Sequence, residues 1–382
     1  MLLGQVMFWC LIVAVVYVYV GYPVAVFLLA RVYRRRVRTG PCEPTVSILI
    51  AAYNEEACIA RTIENKLALD YPREKLEVIV VSDGSTDRTE EIVRGYASRG
   101  VKLLRQAPRH GKTAALNQAV SRAAGEVLVF SDANSLFERD ALRHLVENFH
   151  DPRVGYVTGK LIYITPEGAT VGDGCSAYMK YENFLRLQET QIGSIVGVDG
   201  GIDAIRRSLY RTMKADQIPD FILPLRVVER GYRVVYEPMA VLREEAHTNA
   251  DGEYRMRVRV SLRSLWALKD MKHLLSFARH GLFSWQLLSH KVLRYHAFAM
   301  LMLMYVMNAA LWTAGPLYRV IFILQTVAYV LGYVGYRLDQ KGRPNSYLTL
   351  PYYFALINVA AGHAFFQFLS GRKQVVWIPR AG

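Results

Sequence analysis

Residues 46–69 read "VSILIAAYNEEACIARTIENKLAL". The first seven residues form an apolar run of the length of a strand buried on both faces, and an amphipathic stretch opened by Asn54 comes directly after it. One strand handing over to one helix through "YNEE" is half of a crossover unit. The same alternation recurs outward along the chain. Apolar runs "LEVIVVS" (76–82), "VKLL" (101–104), "EVLVFS" (126–131) and "VGYVTGKLIYI" (154–164) are separated by amphipathic stretches, among them "DRTEEIVRGYASR", opened by Ser85 or Thr86, and "KTAALNQAVSRAA". Strands alternating with helices define an α/β class with a mainly parallel sheet and helices on both faces. In such sheets ligands bind beyond the carboxyl ends of the strands.

That rule places three polar motifs on one rim. The first strand runs into "YNEE", the second into "SDGSTD" and the fourth into "SDAN", which brings Glu55, Asp83 and Asp132 together. Each also has a plain structural reading: Asn54 as a helix N-cap, Asp83 as a turn residue before Gly84, Asp132 as a cap for the next helix. Clustered carboxylates repel unless a cation joins them, and oxygen donors suit Mg²⁺ or Mn²⁺, which complete their shells with substrate phosphates. A lysine stands ready for the same phosphates in "RQAPRHGKTAALNQAV" (105–120). Gly111-Lys112-Thr113 has the end of a P-loop, but the glycine required five residues earlier is Gln106, and Pro108 has no N–H to offer. Lys112 at the start of a helix still suits a phosphate, with Arg109 as a second cation. No Gly-x-Gly-x-x-Gly comes after any strand, which disfavours a nicotinamide or flavin dinucleotide.

The chain has 382 residues, half of them apolar, and a formal charge of +14. Its ends have membrane character. Met1–Ala30 carries no Asp, Glu, Lys or Arg, and five arginines come next at Arg31, Arg34, Arg35, Arg36 and Arg38. This segment is long enough to span, and the basic cluster puts the succeeding residues in the cytoplasm. Toward the C-terminus, Arg294, Arg319, Arg337, Arg343 and Arg372 bracket stretches of 24, 17 and 28 residues without charge, read as three further spans with a short middle one. Three spans after a cytoplasmic domain leave the tail outside, whereas Arg372, Lys373 and Arg380 argue for inside; a re-entrant segment would resolve the conflict. The four cysteines, Cys10, Cys42, Cys58 and Cys175, have neither metal-site nor disulfide-framework spacing. The organisation expected is an N-terminal span with its basic flank (1–38), a cytoplasmic domain (39–255), amphipathic interface helices (256–294), C-terminal spans (295–371) and a basic tail (372–382).

Taken together, "VSILIAAYNEE", "VIVVSDGSTDRT", "GKTAALNQA", "VLVFSDAN", "IPDFILPLRVVERGYRVVYEP" and "SHKVLRY" resemble the membrane-bound family 2 glycosyltransferases of GT-A fold, in the order expected of them and over nearly the whole chain. The resemblance implies a cellulose, hyaluronan or poly-N-acetylglucosamine synthase-like superfamily and a Rossmann-like catalytic domain between membrane helices. It implies that Glu55 and Asp83 meet the nucleoside, usually uridine, with Tyr53 in the same donor site. Asp132 then stands at the metal-binding Asp-x-Asp position, Asn134 replaces its second Asp, and Lys112 lies near the nucleotide. Asp220 matches the general base of an inverting displacement; its plain alternative is a helix N-cap. Pro219 replaces the acidic residue that usually precedes the base.

"RMRVRV" (255–260) occupies the place of the Gln-x-x-Arg-Trp signature of polymer-making relatives. Arg259 matches its arginine, Met256 replaces the glutamine, and Val260 replaces the tryptophan that would form a stacking platform for sugar. Arg257 and Arg259 are read as holding the departing diphosphate, and Arg255 and Arg263 as an interfacial basic face. Gly200-Gly201 permits close backbone approach, either to the acceptor or as a tight turn. Residues 261–294 mix aromatic, apolar and basic residues as surface-lying helices do, bringing the site to membrane lipids and a lipid-linked or glycan acceptor; no nucleic-acid partner is expected. Three readings result: an inverting transferase adding one or a few sugars, a processive synthase that also translocates its polymer, and a silent membrane receptor for nucleotide sugars.

Overall fold

The computed structural model describes residues 2–164, 170–245, 250–343 and 345–376. The chain divides into two compact units, one comprising 32–164, 182–245 and 373–382, the other 1–31, 165–181 and 246–372. The first is built on an eight-stranded sheet: β1 (Val46–Ala52), β2 (Leu76–Ser82), β3 (Val101–Arg105), β4 (Val127–Asp132), β5 (Leu136–Phe137), β6 (Val154–Ile164), β7 (Ile202–Arg206) and β8 (Arg233–Glu245). Their order is β3-β2-β1-β4-β7-β6-β8-β5. All seven residues of β1 are buried, which accounts for the unbroken apolar run of its sequence. β3, β2, β1 and β4 pair in parallel, whereas β7 runs antiparallel to both β4 and β6.

The expected strands are present nearly as read. The helices are shorter. The first begins at Ile59 with Cys58 at its cap, and Ile59, Thr62, Ile63 and Lys66 make its buried face. Asn54 is not a helix cap: its φ is 52°, a left-handed conformation that asparagine tolerates, and its Oδ1 accepts the Thr86 N–H at 2.8 Å. The helix after "SDGSTD" is only Thr89–Arg94. β6 and β8 pair in parallel, and only β7 and β5 run against the other six strands, so the sheet is mainly parallel, as expected.

The second unit is helical. Leu2–Val32 and Pro316–Gln340 are long and apolar enough to cross a membrane, and Leu282–Tyr295 with Ala297–Ala310 is a pair bent by 57°. Thr349–Leu369 is a further apolar helix of 21 residues. The stretch read as the short middle span is the interior of the 25-residue helix Pro316–Gln340, which takes Arg319 into its first turn and Arg337 into its last. Leu317, Val320, Ile323, Leu324, Val327 and Val330 on this helix are exposed, as side chains facing lipid are. Helix Ala250–Asp270 packs Val258 and Leu262 against Ala360 and Ala364. Arg263, expected at lipid headgroups, is buried.

Candidate functional site

The parallel half of the sheet sets three strand ends side by side. Ala52 pairs with Ser82 and Ala51 with Asp132, so the chain leaves β1, β2 and β4 at one edge. The loop after β1 is stitched to the loop after β2: Asn54 N–H donates to Ser85 Oγ (3.1 Å), Glu55 N–H to Thr89 Oγ1 (2.8 Å) and Glu56 N–H to Asp87 Oδ2 (3.0 Å). Glu55 is half-buried and accepts the Cys58 thiol at 3.0 Å. Burial and then Glu55 itself push that thiol's pKa up, so Cys58 is a neutral donor rather than a nucleophile.

Asp83 is fully buried and organises the segment 106–111. Its Oδ1 accepts the His110 N–H at 2.8 Å, its Oδ2 the Gly111 N–H at 3.0 Å, and Gln106 Nε2 donates to it as well. Arg109 Nε lies 3.4 Å from the same carboxylate, and its guanidinium stacks 3.5 Å over the Tyr53 ring. Gly111 has φ +92°, and a Cβ there would sit 2.7 Å from the Val375 carbonyl oxygen, so only glycine fits between Asp83 and the C-terminal segment. The helix Lys112–Arg122 begins at the next residue. Lys112 Nζ forms an ion pair with Asp132, both side chains being partly exposed.

The same helix holds the approach to Asp220. Thr113 Oγ1 donates to the Gln217 carbonyl (2.8 Å), and Asn117 clasps Met213 through both amide groups (2.8 and 3.0 Å) while accepting the Tyr210 hydroxyl at 2.7 Å. Lys112, Thr113 and Asn117 thus link the cation at the β4 end with the segment that leads into helix Pro219–Glu229, where Asp220 lies in the first turn. The Asp220 carboxylate rests against the Cα of Gly200, whose φ is +89°; any side chain at 200 would collide with it. A Cβ at Gly201 would collide with Leu242. The glycine pair therefore makes room for Asp220 on one side and for β8 on the other.

The other acids in this region are constrained. Asp199 is ion-paired to Arg186 at 2.6 Å. Asp203 is buried on β7, in register with Thr158, and neither of its oxygens has a hydrogen-bond partner among the described residues. Burial, and then the charge of Asp220, push the Asp203 carboxyl up to about 8. Of the three acids, only Asp220 is half-exposed and, among the described residues, not tied to an arginine.

Oxygen donors suited to a divalent cation stand at the β4 end. They are the Asp132 carboxylate, which already attracts the Lys112 ammonium, and the Asn134 amide, whose Nδ2 donates to Glu244 Oε1 at 3.2 Å. With the NH₂ group engaged by Glu244, the amide oxygen is left for a cation. The donor set fits Mg²⁺ or Mn²⁺. Glu244 and the tail lie far along the sequence from their partners and carry no motif. Lys373 pairs with Asp216 across 157 residues.

Arg257 and Arg259 belong to the helical unit. Arg257 donates to Glu253 Oε1 (2.8 Å) and to the Tyr353 hydroxyl oxygen (2.7 Å), and its guanidinium lies 4.7 Å from the Tyr178 ring. Arg259 is half-buried.

Residues 47–214 match the profile of the family described as glycosyl transferase family 2. Poly-beta-1,6-N-acetyl-D-glucosamine synthase of Staphylococcus aureus is 29% identical over 221 residues, covering 56% of this chain and 53% of the synthase. The probable glycosyltransferase YdaM of Bacillus subtilis is 30% identical over 231 residues, covering 56% of this chain and 54% of that protein. The chain thus spans about half the length of the curated relatives it matches. Among solved structures, the mannosyltransferase PcManGT from Pyrobaculum calidifontis, in complex with GDP-Man and Mn²⁺, superposes with a TM-score of 0.72 at 23% identity, over 95% of this chain and 99% of that one. This last likeness is one of fold.

Proposed function

The chain carries a family 2 glycosyltransferase domain of GT-A fold, and from that premise we propose an inverting enzyme that transfers a sugar from a nucleotide-sugar donor, a UDP-sugar, to a lipid-linked or glycan acceptor in cell-surface polysaccharide synthesis. The observation that carries the reading is the run of Tyr53, Asp83 and Asp132 at the ends of three adjacent parallel strands, tied through helix Lys112–Arg122 to the segment bearing Asp220.

In this reading Tyr53, Glu55 and Asp83 hold the nucleoside, and Asp83 also fixes the 106–111 segment. Lys112 neutralises the diphosphate once its hold on Asp132 is relaxed. Asp132 and Asn134 would hold Mg²⁺ or Mn²⁺, which supplies charge neutralisation of the leaving diphosphate. Asp220 accepts the acceptor hydroxyl proton as that oxygen bonds to the anomeric carbon from the face opposite the diphosphate, and the bond from that carbon to the diphosphate oxygen breaks. Asp203, whose carboxyl burial holds protonated, sets no second negative charge beside Asp220. Gly200 and Gly201 leave the backbone close to the acceptor. For Arg257, the contacts with Glu253 and Tyr353 favour a structural part over diphosphate binding, while Arg259 keeps the diphosphate assignment.

The catalytic unit is assigned to the cytoplasmic face of the membrane by the arginines at 31–38. Helix Ala297–Ala310 has 14 residues and is about 21 Å long, too short to cross alone, whereas Pro316–Gln340 and Thr349–Leu369 are long enough. Two crossings after the catalytic domain return the tail to its side, in keeping with the Lys373–Asp216 pair. The match to a polymer synthase favours a second reading, processive synthesis with translocation. Loss of the tryptophan of the polymerase signature, with Val260 in its place, weighs toward short products.

The test is turnover of the detergent-purified chain against a panel of UDP- and GDP-sugars with Mn²⁺ or Mg²⁺, reading nucleotide release and product length on a glycan or polyprenyl-phosphate acceptor. Cation-dependent UDP release with a product of one or a few sugars is expected. A ladder of long products supports the processive reading, and donor binding without turnover across the panel overturns both.

A further inference from the structure

Asn134 is a weaker cation ligand than the aspartate it replaces, because only one of its two polar atoms can face a cation. Its backbone is held on both sides. Thr62 Oγ1 donates to the Ala133 carbonyl at 2.5 Å, and the buried Lys66 Nζ donates to the Ser135 carbonyl at 2.6 Å, both from helix Ile59–Leu67. With the main chain clamped, the remaining freedom is rotation of the amide. A hard divalent cation is bound by the amide oxygen and repelled by the NH₂ group, so the site works in one amide orientation only.

Glu244 selects that orientation. It lies on β8, one residue beyond Arg243, which pairs with Leu136 of β5, so β8 runs beside the chain that has just left Asn134. Its side chain is buried, and its Oε1 takes the Asn134 NH₂ at 3.2 Å. An ionised carboxylate accepts and cannot donate, so it holds the NH₂ and turns the Asn134 oxygen away from itself. We propose that Glu244 is a positioning residue for the divalent cation: it presents the Asn134 oxygen to the ion and supplies, one bond further out, the negative charge lost where asparagine replaces aspartate. The inference rests on the reading of Asp132 and Asn134 as cation ligands. Hydrogen-bond partners of metal ligands act in this way, and losing one costs roughly 10- to 100-fold in affinity.

The experiment is Mn²⁺ titration of the full-length chain in detergent with UDP present, read by the free-Mn²⁺ electron paramagnetic resonance signal. Glu244→Gln is isosteric but uncharged, and its amide can offer the Asn134 side chain either a donor or an acceptor, so the orientation is no longer fixed and the charge is lost; Mn²⁺ affinity should fall roughly 10-fold or more while thermal stability stays near the wild-type value. Adding Asn134→Asp to Glu244→Gln restores a charged ligand whose one oxygen takes the glutamine N–H, and affinity should return to within about 3-fold of the wild type, a compensation that mere damage to β8 would not show. Wild-type affinity in Glu244→Gln, or no recovery in the double variant, overturns the inference. Asp132→Ala separates it from its premise: binding lost in Asp132→Ala but unchanged in Glu244→Gln leaves the cation reading standing, whereas a wild-type chain that binds no Mn²⁺ with UDP overturns both.

Discussion

The two halves of the eight-stranded sheet carry their candidate residues in different ways. In the parallel half, β3-β2-β1-β4, each candidate residue comes within a few positions of a strand end: Tyr53 and Glu55 after β1, Asp83 after β2, Asp132 at the end of β4. In the mixed half, β7-β6-β8-β5, where β6 and β8 run parallel to each other and β7 and β5 run against them, the candidates meet across long stretches of chain, Gly200 with Asp220 and Asn134 with Glu244. Crossover topology explains the contrast. Parallel strands return to the same edge each time, so a motif at every strand end suffices to build a rim. An antiparallel strand such as β7 leaves at the opposite edge, and its contribution depends on the segments that fold back over its start. The parallel half is a row of local motifs, while the mixed half is assembled by tertiary contact.

The sharpest way to break that comparison is Asp220→Asn, where a local role and an assembled one give different forecasts. Asp220 is not the helix N-cap of its plain reading: Ile218 holds that place and Asp220 stands inside the first turn; asparagine keeps its shape there but takes no proton at neutral pH. Sugar transfer is expected to fall roughly 10²- to 10⁴-fold, with UDP binding and thermal stability close to those of the wild type. Transfer at the wild-type rate would leave Asp220 only the structural part of an acid in a helix first turn.

Gly200→Ala is the next largest and probes the tertiary contact itself. A left-handed φ of +89° costs a non-glycine residue roughly 1–2 kcal/mol, and the new methyl group also meets the Asp220 carboxylate. Transfer should fall about 10- to 100-fold, because a displaced base loses its geometry, and calorimetric UDP affinity should hold within about 3-fold. Equal losses in binding and transfer would mean that the two halves are not separable.

Lys112→Ala tests the parallel half. The ion pair with Asp132 is partly exposed, so stability should change little, whereas a phosphate contact of ordinary strength predicts roughly 10-fold weaker UDP binding. No ATP binding is expected in either protein, and tight ATP binding by the wild type would revive the P-loop reading of Gly111-Lys112-Thr113.

Legibility in the sequence divides along the same line. β1, β2, β3, β4 and β6 announce themselves as apolar runs, and the polar residues at the ends of β1, β2 and β4 are read in the same pass. Asn54 misleads because its side chain serves Thr86, a residue of another loop, rather than the helix that comes after it. β7 is hidden by Gly200-Gly201 and the acidic residue Asp203, and β8 by its alternation of buried and exposed residues late in the strand. Glu244 and Lys373 have no signal at all, because their partners are 110 and 157 residues away. Spacing rules describe neighbours on one element; they say nothing about pairs that only folding brings together.

The smallest effect on transfer is expected at Asp203, where the mixed half gives up stability instead. Its carboxyl is raised to about 8 by burial and by the charge of Asp220, with Thr158, Tyr156 and Asp199 as the other groups facing it, against an unfolded value of ~3.9. Below pH ~4 both states are protonated and the group contributes no difference. Between pH ~4 and 8 the unfolded chain loses its proton while the folded chain keeps it, so the folded state binds more protons and stability falls as pH rises, until the folded carboxyl also ionises near pH 8. Asp203→Asn cannot ionise, and the pH-dependent penalty disappears with it. The variant should therefore melt higher than the wild type at pH 7.5, by roughly 2–4 °C for each kcal/mol recovered, and the gap should close as pH is lowered toward 4. Transfer at pH 7 should stay within about 3-fold, since Asp220 keeps its carboxylate and its place against Gly200. A melting difference that does not vary between pH 5 and 8 would mean that Asp203 is ionised in the folded protein. The two acids would then share their site as like charges, and Asp220 could not be assigned as the base on the ground that its neighbour is neutral.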